Sequence, residues 1–239
     1  MSEWLSYTRD EGGAPAVVDF NAELDDRDVR AQCATCISLV LSGYQCDAGG
    51  MPTDSVDDEL YALERRLEDA LDARGGVLAA TLAQKGTYEF LAYAPADLSQ
   101  ACADLARAAG FAVASYAAAD DPQWTRYARL ALSGDELEDA RDREQLEELE
   151  TAGEDLERAR EIFFDFDFPD GERAEAARTA FGGGTIEAAG ATDDEGTEVQ
   201  TVFVAVPTLE AVRAERTRLS AIALRFGGVY RGWGTDPDR

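Results

Sequence analysis

Residues 77–93 read Val-Leu-Ala-Ala-Thr-Leu-Ala-Gln-Lys-Gly-Thr-Tyr-Glu-Phe-Leu-Ala-Tyr. Two apolar runs, Val77 to Gln84 and Thr87 to Tyr93, flank Lys85-Gly86, and a Gly-bearing pair between such runs predicts a hairpin. Upstream, Cys33 to Leu41 reads as a buried strand. Asp54-Ser55 then opens a helix with Val56, Leu60, Leu63, Leu67 and Leu71 on one face, closed by Gly75-Gly76. Downstream, Asp97 with Gln100 forms a capping-box pattern. The helix it opens carries Leu98, Cys102 and Leu105 and stops at Gly110, and Phe111 to Tyr116 is the next strand. The order from Cys33 is β-α-β-β-α-β. Two short strands, Trp4–Arg9 and Ala16–Asn21, precede it around a Gly12-Gly13 turn.

The same order recurs. Ile162 to Phe168 alternates, with Phe164, Phe166 and Phe168 on one face and Asp165 and Asp167 on the other. Glu172–Phe181 is a short helix ending at Gly182-Gly183-Gly184. Thr185–Ala189 and Val199–Val206 are strands about the polar loop Thr192–Gly196. Thr208 caps a helix bearing Leu209, Val212, Leu219, Ile222 and Phe226. Gly227-Gly228 ends it, and Val229 begins a last strand. The expected fold is α+β, two tandem ferredoxin-like (β-α-β-β-α-β) α/β sandwiches joined by an acidic helix. Expected boundaries are 1–132 for the first domain, 133–157 for the helical linker and 158–239 for the second domain. Leu146, Leu149, Ala152, Leu156 and Ala159 form the linker's apolar stripe. It is too short for a sustained coiled coil, so the helix is expected to lie on its own domain.

The 239 residues hold 49 acids against 22 bases, a net charge of −27, and no histidine. The missing imidazole excludes His-based triads, Cys-His pairs and His metal ligands. Lys85, the single lysine, has no phosphate-loop motif around it. Such acidity repels phosphate, so direct nucleic-acid and anionic-membrane binding are disfavoured. The acids are spread along the whole chain, lysine is nearly absent and isoleucine is scarce, a pattern of adaptation to high salt rather than an acidic tail for a basic partner. At such a charge, folding is expected to need ionic screening of self-repulsion. The start lacks a basic segment with an apolar run, and no stretch reaches the ~18 apolar residues of a membrane helix, so a cytoplasmic protein is expected.

Four cysteines are present. Cys33-x-x-Cys36 has redox or zinc spacing, but Cys46 and Cys102 are isolated and supply no second pair. On a strand the two thiols face opposite ways, too far apart for a disulfide, so buried structural thiols are expected. Asp165 and Asp167 could hold a hard cation, or simply be a solvated face of an acidic protein. Gly182–Gly184 follows a helix rather than opening one, which reads as a helix end and not a phosphate loop. Asp120-Asp121 near Trp124 and Tyr127 reads as ring packing over the first sheet. No catalytic residue, metal ligand or cofactor is called for.

The run Leu224-Arg225-Phe226-Gly227-Gly228-Val229-Tyr230-Arg231-Gly232-Trp233-Gly234-Thr235 carries a Tyr-x-Gly-Trp-Gly end after a Gly-Gly turn. Through it, residues 158–239 resemble the regulator of ribonuclease activity B (RraB) family. Arg231 stands where that family usually has Asp. The resemblance implies a non-enzymatic regulator that binds a large endoribonuclease of the E type and lowers its activity by protein contact. Residues 1–132 resemble a domain family of unknown function often found beside RraB-like domains, through Trp4, Tyr7, Gly12, Gly13 and Pro15, then Gly50-Met51-Pro52, then Asp121, Trp124 and Tyr127. Three readings stay open: a protein-binding regulator of RNA decay, an interaction or structural module without a ribonuclease link, and a carboxylate-dependent metal enzyme. For the first, Tyr230, Arg231, Gly232, Trp233 and Gly234 are the expected partner-binding residues, unless Trp233 instead covers the core of its own domain.

Overall fold

The computed structural model describes residues 3–10, 13–24, 27–182, 187–188 and 197–235. The chain forms two compact units, Met1–Leu137 and Glu138–Arg239. Gly12, Gly183-Gly184 and the Thr192–Gly196 loop, all read in the sequence, lie outside the described residues.

The first unit runs β1 (Trp4–Asp10), β2 (Pro15–Asn21), α1 (Arg27–Gln32), β3 (Thr35–Ser42), α2 (Asp54–Asp72), β4 (Val77–Gln84), β5 (Thr87–Ala94), α3 (Ser99–Ala108), β6 (Ala112–Asp120) and α4 (Thr125–Ala128). Its six strands form one antiparallel sheet in the order β1-β2-β4-β5-β3-β6. The hairpin at Lys85-Gly86 is present, with Gln84 opposite Thr87. Both residues of the turn have positive φ, 47° and 75°, which matches the twist of a two-residue hairpin. The α2 stripe Val56, Leu60, Leu63, Leu67 and Leu71 is buried against Ile37, Leu39, Leu41 and Phe90. Each such side chain stabilises the fold by about 1.5–3 kcal/mol. The capping-box pattern at Asp97 does not form. Asp97 Oδ1 accepts from the Ser99 amide at 2.9 Å, but Gln100 turns outward to Asp104 and Tyr116.

The opposite face of this sheet is covered by the segment after β6. Trp124 is fully buried, stacked on Tyr93 at 4.0 Å between ring centres, and its indole N–H donates to the Cys33 carbonyl at 2.8 Å. These contacts hold Trp124 at φ 53°, a left-handed conformation that bulky residues seldom adopt. Asp121 caps α4 by accepting from the Thr125 and Arg126 amides and from the Tyr93 hydroxyl. Burial works to raise its carboxyl, and those donors outweigh it and hold the group below its ordinary value. Tyr127 donates to the Asn21 carbonyl and Tyr7 to the Leu130 carbonyl, each at 2.6 Å. Trp124 and Tyr127 therefore pack over the sheet, as the sequence reading expected. α1 and α4 went unread, because neither is long enough to show a helical period.

The strand expected from Cys33 begins at Thr35, so Cys33 lies just before β3. Cys33 and Cys36 are buried free thiols. Burial raises both, and it lifts Cys102 to about 11, opposite to the lowering a redox-active thiol needs.

The second unit contains most of α5 (Asp135–Thr151), then β7 (Arg160–Phe168), α6 (Gly171–Phe181), β8 (Glu187–Ala188), β9 (Thr197–Ala205), α7 (Leu209–Arg225) and β10 (Val229–Thr235). Its antiparallel sheet has the order β10-β7-β9-β8, with β8, of which Glu187 and Ala188 are described, at the edge. Phe164, Phe166 and Phe168 are buried with Ala177, Phe181, Val212 and Leu219, as the alternation predicted. The helix expected as a linker over 133–157 is shorter, and from Glu138 on it falls within the second unit. The physical reason is packing: Ala140 and Asp142 are buried, and Leu146 and Leu149 lie on the second core. Leu156 and Ala159 fall outside the helix.

One carboxyl of the first unit titrates near neutrality. Burial, reinforced by the charges of Glu68 and Asp19, pushes Glu64 from 4.5 up to about 7. Beside it, Tyr88 donates to Thr81 and Thr81 to Asp19. A raised folded-state value means stability that is present below the unfolded value and lost as pH rises through about 7. The first unit should therefore be less stable at pH 8 than at pH 5, with Glu64 contributing no more than about 3 kcal/mol, and Glu64→Gln should reduce this slope. Melts of both proteins across that range check it.

Candidate protein-binding surface of the second unit

The last strand carries every residue expected at a partner surface. β10 is the outer strand of its sheet and pairs with β7. Strand alternation would put Tyr230 and Trp233, three residues apart, on opposite faces. They share one face because the register shifts between Tyr230 and Gly232: Tyr230 lies opposite Phe166, Gly232 opposite Asp165 and Trp233 opposite Phe164. Arg231 is the extra residue of this bulge. Gly232 takes φ 153°, a conformation that side chains rarely adopt, and so makes the bulge possible.

The covered face holds the aromatic residues. Trp233 is only 9% exposed. The Tyr230 ring lies 5.5 Å from that of Phe166. Gly228 leads the chain into β10 across the Phe168 ring, where an added Cβ would come within 2.3 Å of a ring carbon. Arg231 points outward and pairs with Asp167. A Cβ on Gly232 or Gly234 would meet nothing within 4 Å. The five residues thus divide into two that anchor the strand, Tyr230 and Trp233, and three that face open space, Arg231, Gly232 and Gly234.

A buried polar cluster fixes Trp233. Its indole N–H donates to Asp142 Oδ1 at 2.9 Å. The other carboxylate oxygen of Asp142 accepts from Arg216 Nε at 3.0 Å, and Arg216 Nη2 reaches Asp139 Oδ1 at 2.7 Å. Arg213 closes on Asp139 from the surface at 2.6 Å. Asp142 and Arg216 are both buried. Burial raises the Asp142 carboxyl, and this outweighs the opposing pull of Arg216 and the indole. One carboxylate of α5 thereby ties that helix to both α7 and β10. The sequence reading missed Asp139, Asp142 and Arg216. The available signal was positional: Asp139 and Asp142 share a helical face with Leu146 and Leu149, and Arg216 sits four residues after Val212 on the α7 core stripe.

The Asp165 and Asp167 carboxylates are already engaged, Asp165 with Gln200 Nε2 at 2.8 Å and Asp167 with Arg231. Among the described residues, no group of three His, Cys, Asp or Glu side chains is placed to hold a metal ion. No described helix is long and apolar enough to cross a membrane. Gly182, at φ 72°, ends α6, in line with the helix-end reading of that glycine.

Comparison with known families places both units. Residues 139–235 match the family described as Regulator of ribonuclease activity B (RraB), and residues 2–130 match a family of unknown function, DUF695. No curated protein matches the chain. Both resemblances read from the sequence are borne out. The RraB match begins at Asp139 and ends at Thr235, so it takes in the α5 carboxylates as well as the final strand. It suggests a regulator of ribonuclease activity.

The two halves of the motif should separate in stability. Removing one partner of the buried pair, Asp142→Ala, should cost about 3–5 kcal/mol. Trp233→Phe, which leaves an Asp142 oxygen unpaired, should cost about 1–3 kcal/mol. Arg231→Ala, in an exposed pair, should change stability by less than about 1 kcal/mol. Urea melts that fail to rank the three this way would contradict the division.

Proposed function

We propose, for a chain that belongs to the DUF695 family and whose C-terminal part belongs to the RraB family, that the second unit is a non-enzymatic regulator that lowers the activity of an endoribonuclease by binding it. The observation that carries the reading is the RraB match over residues 139–235. The topology is in keeping with it: the strand order β10-β7-β9-β8 is the one expected of a ferredoxin-like sandwich, and it leaves β10 at the sheet edge, where a partner can reach it.

In this proposal the partner meets the outer side of β10. Arg231, Gly232 and Gly234 make the contact, while Tyr230 and Trp233 hold the strand in place. Arginine suits such a surface because its planar fork pairs with carboxylates and stacks on rings. The glycines let a partner approach the backbone closely. Here Arg231 replaces a carboxylate usual in the family, which shifts the charge this edge offers. The partner is expected to answer with acidic or hydrogen-bonding groups there. The net charge of −27 disfavours RNA itself as the ligand, so contact is with the enzyme. We read the acid excess as adaptation to a salt-rich cytosol.

Gly234→Arg tests the proposal, because a side chain at this position meets open space and should leave the fold intact. An E-type endoribonuclease from the same cell is assayed with increasing amounts of the chain at high KCl. Inhibition should saturate, and the Gly234→Arg variant, folded with an unchanged melt, should lose it. Inhibition that is equal in the variant would move the contact elsewhere. No inhibition and no co-sedimentation with the nuclease would leave an interaction module without a ribonuclease link.

A further inference from the structure

In the first unit, three of the chain's scarce cations line one cavity of about 380 Å³: Arg9 from β1, Arg126 from α4, and Arg129 just after it. Leu82, Gln84, Glu89 and Leu130 complete the lining. We infer that this cavity binds a small molecule with an oxyanion head, a carboxylate or a phosphate, and a short apolar body.

Charge is the first support. The chain as a whole carries −27, yet this lining gathers three guanidinium groups, and Arg129 alone supplies the surplus of positive charge. The Glu89 carboxylate is already engaged: it accepts from Arg126 Nη2 at 2.6 Å and from the Ser38 hydroxyl at 2.5 Å. Among the described residues no carboxylate pairs with Arg129. Arg9 is held in place, since its Nη1 donates to the Arg129 carbonyl at 2.8 Å. An acidic protein repels anions at long range, but in concentrated salt the screening length falls to about 3 Å, so the guanidinium groups in contact with a ligand dominate. Guanidinium forks match the oxygens of carboxylates and phosphates two at a time.

Construction of the cavity is the second support. It opens where the segment covering the sheet reaches Leu130, and Leu82 and Leu130 give it an apolar floor that packs with Tyr7 and Val18. The elements around it are fixed by strong contacts: Tyr7 bonds the Leu130 carbonyl, and Asp121 caps the helix that carries Arg126. Its volume falls within the range of small-molecule sites, and a few charged groups over an apolar floor is their usual makeup. The two head groups share the same chemistry, and a titration distinguishes them.

The full chain is titrated with inorganic phosphate and, separately, with succinate, each at constant ionic strength set by KCl, and the melt of the first unit is followed. One of the two should raise the melting temperature saturably, beyond KCl alone. Arg129→Gln should weaken that response about tenfold, the loss of one charge-assisted contact, and leave the anion-free melt unchanged. Arg107→Gln, in an exposed pair on α3, should keep the full response. A response equal to that of KCl, or an equal response in the Arg129→Gln variant, would overturn the inference.

Discussion

Asp142 is a buried carboxylate that reaches two elements at once, and the second unit is organised around it. It takes the Trp233 indole N–H on one oxygen and the Arg216 guanidinium on the other. A buried charge is tolerable only when paired and hydrogen-bonded, and here both oxygens are engaged. Such a pair is a weak source of net stability, since desolvation offsets most of the Coulomb attraction. It is strict about geometry, because any displacement of α5, α7 or β10 leaves a charge buried without its partner. The cluster therefore specifies where the last strand lies, more than it adds stability.

The strand so placed separates anchoring from presentation. One bulge sends Tyr230 and Trp233 to the same face and leaves Arg231 outside. The first unit repeats this economy: Tyr7, Trp124 and Tyr127, its own motif residues, each reach a backbone carbonyl from a packed ring. A buried aromatic with a polar tip gains apolar contact and fixes a distant loop in one step. The motif residues that carry the family resemblance in the first unit are thus mainly architectural. The charged groups around them, Arg9, Arg126 and Arg129, are the chemically distinctive feature of that unit.

Much of this was legible in the sequence because period and punctuation were clear. The Lys85-Gly86 hairpin, the α2 leucine stripe and the Phe164–Phe168 alternation each follow from a local rule and are present in the structure. The role of α5 was less legible. Its acids look like a solvated surface in a chain where acids are everywhere, and only their register with Leu146 and Leu149 marks them as inward. The bulge was hidden for a different reason: one extra residue reverses the facing of everything after it, and nothing short of the pairing register reveals it. The arginine cavity was illegible because Arg9 and Arg129 are brought together by tertiary folding alone.

The central claim is that α5 belongs to the second unit through Asp142, so hydrogen exchange on the intact chain tests it most directly. The account predicts that the amides of Glu138–Thr151 exchange as slowly as those of β7, and that Asp142→Ala speeds exchange in α5 and β10 together. Fast exchange along α5 while β7 and β10 stay protected, in the unmodified chain, would contradict it.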